Sequence, residues 1–159
     1  MKKLFLLSFA LLGFVFVSSA QEISENAIGL RLGDSDGLGA EITYQRALGD
    51  NNRLEVDFGW RDGNNFNAFK LTGLYQWVFP LDGSFNWYVG AGGGIASFDG
   101  KNILDGESET ALFAAGDIGI EYNFDIPLLL SLDFRPELGF GDFTDDLDFD
   151  IAFSIRYQF

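Results

Sequence analysis

The sequence predicts an all-β fold: an eight-stranded antiparallel up-and-down transmembrane β-barrel over residues 21–159, preceded by a cleavable signal peptide over residues 1–20. Three observations lead there. Stretches of about ten residues alternate apolar and polar side chains between turns rich in Gly, Asp and Asn. The apolar set is too bulky for the inside of a small closed barrel. The polar set carries acids and bases that can neutralise each other in a sealed interior.

The alternation is clearest at the end of the chain. Phe149, Ile151, Phe153, Ile155, Tyr157 and Phe159 share one strand face, and Asp150, Ala152, Ser154, Arg156 and Gln158 the other. On a helix the same apolar set would wind around the whole cylinder. At the start, Lys2 and Lys3 precede an apolar run from Leu4 to Val17. Ser18 and Ala20 then supply small residues before a cut between Ala20 and Gln21, the layout of a secretory signal. A spanning helix needs about 20 apolar residues. This run is too short and no other candidate follows, so any crossing is made by strands.

Taken in order, strand one is expected over about 27–33, with Ile28, Leu30 and Leu32 on one face, and GDSDG turns the chain. Strand two, about 38–48, sets Ile42 and Tyr44 outward against Glu41, Thr43 and Gln45. Strand three, about 53–61, sets Leu54, Val56, Phe58 and Trp60 outward against Arg53, Glu55, Asp57 and Arg61. Strand four, about 66–79, turns Lys70, Thr72 and Gln76 inward, with Leu74 and Val78 as apolar exceptions. Strand five, about 85–97, places Tyr88 and a run of glycines inward, where glycine allows a neighbour's long side chain to approach. Strand six, about 110–124, turns Asp117 and Glu121 inward, and strand seven, about 128–140, turns Ser131, Asp133, Arg135 and Glu137 inward. Pro136 cannot donate a ladder hydrogen bond, so a bulge or loosened pairing is expected there.

Connections near 50, 82 and 125 are tight, whereas those near 104 and 145 are longer and acidic. Short periplasmic turns and longer outer loops are the usual asymmetry, which places both termini on the periplasmic side. Trp77, Phe79, Phe85, Trp87, Tyr122, Phe124, Tyr157 and Phe159 fall at one rim, and Trp60, Phe140 and Phe149 towards the other. Aromatic rings favour the head-group level. Inside, Arg61, Lys70, Arg135 and Arg156 face Glu55, Asp57, Glu121, Asp133 and Glu137, and a salt-bridge network that plugs the lumen is expected.

Composition narrows the chemistry. A formal net charge of -14 does not suit a nucleic-acid partner. With no Cys and no His, thiol chemistry and the commonest base and metal ligand are absent. No catalytic residue, cofactor site or metal site is assigned, and the chain is read as not an enzyme. VGAGGGIA at 89–96 fails the dinucleotide-loop spacing, and no helix follows it. The acidic groups around Asp99–Glu109 and Asp142–Asp150 lack the EF-hand order and read as solvated loops.

The signal peptide, the eight alternating strands and the closing Phe153-Ser154-Ile155-Arg156-Tyr157-Gln158-Phe159 resemble small outer-membrane barrels of the OmpA/OmpX type. The resemblance implies an integral outer-membrane protein of a Gram-negative-type bacterium, monomeric, in contact with outer-membrane lipid and lipopolysaccharide. It also implies that Phe153, Ile155, Tyr157 and Phe159 are read by the barrel assembly machinery. A role in envelope integrity or in adhesion through the loops is expected. A narrow porin-like channel and a soluble periplasmic ligand-binding barrel are the alternatives.

Overall fold

A computed structural model describes residues 23–33, 39–62, 66–100, 108–140 and 147–159. They form a closed barrel in which each strand pairs antiparallel with its chain neighbours and β1 pairs with β8. The strands are β1 (Asn26–Leu32), β2 (Glu41–Ala47), β3 (Asn52–Asp62), β4 (Phe66–Asp82), β5 (Phe85–Gly100), β6 (Ser108–Asn123), β7 (Leu128–Phe140) and β8 (Leu147–Gln158). The expected signal peptide and most of the expected acidic loops lie outside the described residues.

The register fixes the barrel's shape. Hydrogen-bonded partners followed around the wall from Ala27 run through Gln45, Glu55, Leu74, Gly92, Ala115 and Glu137 to Asp148. Ala27's own partner on β8 is Gln158, so one circuit staggers the ladder by ten residues, from 148 to 158. Stagger and strand number together set the tilt and leave an interior just wide enough for side chains to fill. An even strand count puts both termini at one end, with the turns at 48–51, 83–84 and 124–127. Gly83, at φ +55°, takes the left-handed position in the turn between β4 and β5.

The two faces separate as the alternation requires. Leu54, Phe58, Trp60, Leu71, Trp77, Trp87, Leu132, Phe134, Ile151, Phe153 and Ile155 are exposed on the outside. Their strand neighbours among the described side chains turn inward and are buried. At the end carrying the termini the aromatic side chains pack in pairs: Phe79 stacks on Trp87 at 4.8 Å, and Tyr122 meets Phe85 at 4.7 Å and Phe124 at 4.5 Å. Towards the other end Phe134 stacks on Phe149 at 5.6 Å.

Strand ends differ from expectation on both sides. β5 and β6 run on to Gly100 and from Ser108, because Asp99 and Ser108 pair directly on a ladder already in register. Their weak strand propensity is overridden by that neighbouring register. β2 starts only at Glu41 and is shorter than expected. Pro136 makes no bulge. The β6–β7 register is the same on either side of it, but pairing lapses between Ala115–Glu137 and Ile118–Phe134, as the missing N–H requires. Gly116 faces the ring here; a Cβ on it would stand 3.2 Å from Pro136 Cγ.

Tyr88 is the largest apolar body in the lumen and is 1% exposed. It lies across Gly119, where any Cβ would run into its ring, and the Arg53 guanidinium sits 4.8 Å from the ring centre. Gly94 gives Phe113 similar room. Gly119→Ala should lower stability by about 1–3 kcal/mol, the usual cost of overpacking a filled interior. Urea titration of the folded barrel measures this, and adding Tyr88→Ala to the same chain should return part of the loss relative to Tyr88→Ala alone.

Candidate functional site

The lumen is the place where this chain concentrates its chemistry. Arg31, Arg53, Arg135 and Arg156 are each 1% exposed or less. A guanidinium taken out of water costs several kcal/mol unless charge and hydrogen bonds replace its hydration. The inward positions of eight strands supply those partners, and neighbours along the stagger bring them within reach.

Glu55 joins two of the arginines. Its Oε1 accepts from Arg135 Nη2 at 3.0 Å, and its Oε2 accepts from Arg156 Nη2 at 3.0 Å and Gln45 Nε2 at 2.6 Å. Arg135 Nη2 also donates to Asp57 Oδ2 at 2.7 Å. Arg156 reaches Thr43 Oγ1 at 3.1 and 3.2 Å and Ser131 Oγ at 2.7 Å. These contacts cross the barrel between β2, β3, β7 and β8.

Arg31 forms a second centre nearer the loop end. Its Nε and Nη2 donate to Asp133 Oδ1 at 3.2 and 2.6 Å, and its Nη1 donates to Glu41 Oε2 at 2.9 Å and Asp150 Oδ2 at 2.6 Å. Arg53 anchors the end carrying the termini, with Glu121 Oε2 at 2.7 Å and Gln76 Oε1 at 2.6 Å. Gln76 passes the connection on to Asp117, and Asn86 donates to Glu121 at 3.2 Å. Lys70 donates to Glu137 at 2.6 Å and lies 5.1 Å from the Phe113 ring centre. Leu74, Phe113 and Ala115 fill the remaining width as a small apolar cluster.

Of the residues assigned to a lumenal network, the structure brings together Glu55, Asp57, Arg135 and Arg156, and Lys70 meets Glu137. Glu121 and Asp133 are also in it, held by Arg53 and Arg31, which were not assigned to it from sequence. The side chain of Arg61 lies outside the described residues. Glu41, Asp117 and Asp150 were read on inward strand faces but not assigned to the network. Arg31 sits between outward Leu30 and Leu32, so strand parity alone turns it inward. Asp150, on the polar face of the terminal strand, is carried inside the wall by β8. Most of the two acidic groups considered for calcium lies outside the described residues, and among the described residues no cluster of potential ligands suits a metal ion.

Phe153, Ile155, Tyr157 and Phe159 all point outward and are exposed. Phe159 also closes the wall: its N–H donates to Asn26 O at 2.9 Å, and Asn26 N–H donates to Phe159 O at 3.1 Å. A hollow at this end is lined by Gln45, Arg53, Asn86, Glu121 and Asn123 among others. Arg53, Asn86 and Glu121, which line it, are themselves buried.

No protein-family model and no curated protein matches the chain. Its shape matches solved barrels. The N-terminal β-barrel domain of Pseudomonas aeruginosa OprF aligns with a TM-score of 0.69 at 13% identity, over 86% of this chain and 98% of that one. Neisserial surface protein A aligns at 0.58 with 14% identity, over 84% and 94%. Ail, the attachment invasion locus protein of Yersinia pestis, aligns at 0.57 with 15% identity, over 86% and 97%. The fold is therefore that of the small eight-stranded outer-membrane barrels.

Breaking one side of a buried ion pair typically costs about 3–5 kcal/mol because the other charge stays buried. Arg31→Met removes the cation that Asp133, Glu41 and Asp150 share and should cost that much in a denaturant titration. Arg46→Met breaks a solvent-exposed pair with Glu25 and should cost less than about 1 kcal/mol.

Proposed function

We propose that the chain is a non-enzymatic integral protein of a Gram-negative outer membrane, serving envelope integrity or surface attachment through its loops. The observation that supports this most is the orientation of the wall: large apolar side chains outside, paired charges inside. A soluble carrier would need the reverse, since its apolar residues would line the ligand cavity. An open pore would need a wet lumen, whereas the arginines here are shielded from solvent. The absence of His and Cys from the sequence removes the usual bases and nucleophiles, which favours a non-catalytic role.

The partners proposed are outer-membrane lipid and lipopolysaccharide, and the assembly machinery that would read the terminal strand. The barrel is read as monomeric, with its termini and tight turns on the periplasmic side. Ail, similar in fold, has been solved with the heparin analogue sucrose octasulfate. A net charge of -14 repels such a polyanion, so any attachment by this chain would use a neutral or cationic surface, or one bridged by cations.

Expression with its leader in a Gram-negative host tests the reading. The protein should fractionate with the outer membrane and migrate faster on a gel when unheated than when boiled. Recovery in the soluble periplasm would refute it. In planar bilayers the folded barrel should give no steady conductance. Replacing 101–107 and 141–146 with short turns should abolish attachment if the loops carry it, while leaving the heat-dependent shift intact.

A further inference from the structure

The wall is not the same height all round. β1 and β2 have seven residues each, whereas β7 has thirteen and β8 twelve. At about 3.3 Å per residue and a tilt of about 40–45°, seven residues climb about 17 Å and thirteen about 31 Å. The apolar band of a barrel of this kind is about 25 Å tall. The β1–β2 side is too short for it, and the opposite side is long enough.

The outward side chains follow the same division. On β7 the apolar face runs out through Leu132, Phe134 and Leu138 to Phe140, all exposed. On β1 and β2 it consists of Ile28, Leu30, Leu32 and Ile42 with half-buried Tyr44. Beyond these on the loop side the chain leaves the sheet at Gly39 and Ala40, both exposed. On the other side stand Asn26 and Arg46; Leu48 follows in a turn with Gly49, Asp50 and Asn51. Correcting each strand for its share of the stagger puts Arg46 level with Trp77, Trp87 and Leu130. The same correction puts Leu138 farther out than Ala40. Arg46 is half-exposed, held at 3.0 Å by Glu25 and 2.9 Å by Asn26. Tyr44 donates its hydroxyl to the same Asn26 oxygen at 2.7 Å. Polar groups therefore occupy this side at depths where the rest of the rim carries rings and leucine.

We propose that the β1–β2 side is a lipid-head-group surface, where the surrounding membrane is pinched and head groups of both leaflets are drawn towards its midplane. This rests on the membrane reading above. A bilayer that kept full thickness here would leave the backbone around Gly39 and Ala40, and the Arg46 cluster, in hydrocarbon. Polar groups held in hydrocarbon cost several kcal/mol each when water is lost, whereas thinning costs a fraction of a kcal/mol per ångström. The deformation is the cheaper outcome. It falls beside the β1–β8 seam, whose six residue pairs contrast with eleven between β7 and β8.

The test uses nitroxide labels in lipid vesicles, which the absence of native Cys makes simple. Single variants Ala40→Cys, Ile42→Cys and Arg46→Cys report the short side, and Leu130→Cys and Leu138→Cys the tall side. All face outward, and the unheated gel band shows which are folded. Labels at 40 and 46 should collide more with a water-soluble nickel complex than with oxygen. Labels at 42, 130 and 138 should show the reverse. If 40 and 46 both rank with 130 and 138, the bilayer is not pinched and the inference fails. If one of them is wet and the other buried in lipid, the barrel is merely tilted and the inference also fails. If 130 and 138 are themselves wet, the membrane reading fails instead.

Discussion

Four guanidinium groups sealed inside a narrow cylinder constrain everything else in this chain. Each must be met by carboxylates or amide oxygens, because nothing apolar can replace lost hydration. Arg31 and Arg135 hold acids from four different strands, and Glu55 on β3 joins Arg135 of β7 to Arg156 of β8. These contacts tie opposite walls together in a structure whose other cohesion comes from hydrogen bonds between adjacent strands. A one-residue slip of any strand would turn its acids and bases outward. The charge pairs therefore specify register as well as filling space.

The outside is the complement of that interior. A closed ladder satisfies the backbone without water, and strand parity then leaves mostly apolar side chains to meet the surroundings. Glycine takes part where the interior needs width. Tyr88 lies across Gly119 and Phe113 lies beside Gly94, so large rings enter a lumen that parity alone would crowd. Proline is accommodated by giving up pairing locally at Pro136 while the register continues.

Much of this was legible in the sequence, because a period of two is unambiguous where both faces are long. β3, β7 and β8 show it directly: Glu55, Asp57, Asp133, Arg135 and Arg156 were placed inside from their position between apolar neighbours. What escaped was partnership across the barrel. Strand parity says that Arg31 points inward, but not that it meets Asp133, more than a hundred positions away. That depends on the stagger, which is a property of the closed sheet. Strand ends were also hard to read, since Asp99 and Ser108 look like loop residues until their pairing is seen.

The central claim is that the bulky apolar side chains meet lipid and the charges do not. All three tryptophans, Trp60, Trp77 and Trp87, stand on the outer surface at 67%, 41% and 38% exposure. Their fluorescence in vesicles made with brominated lipids tests the claim most directly. Strong quenching by bromine on the acyl chains, with little quenching by aqueous iodide, is the predicted result. Emission untouched by the brominated chains would mean that the rings lie inside the protein, and would contradict the account.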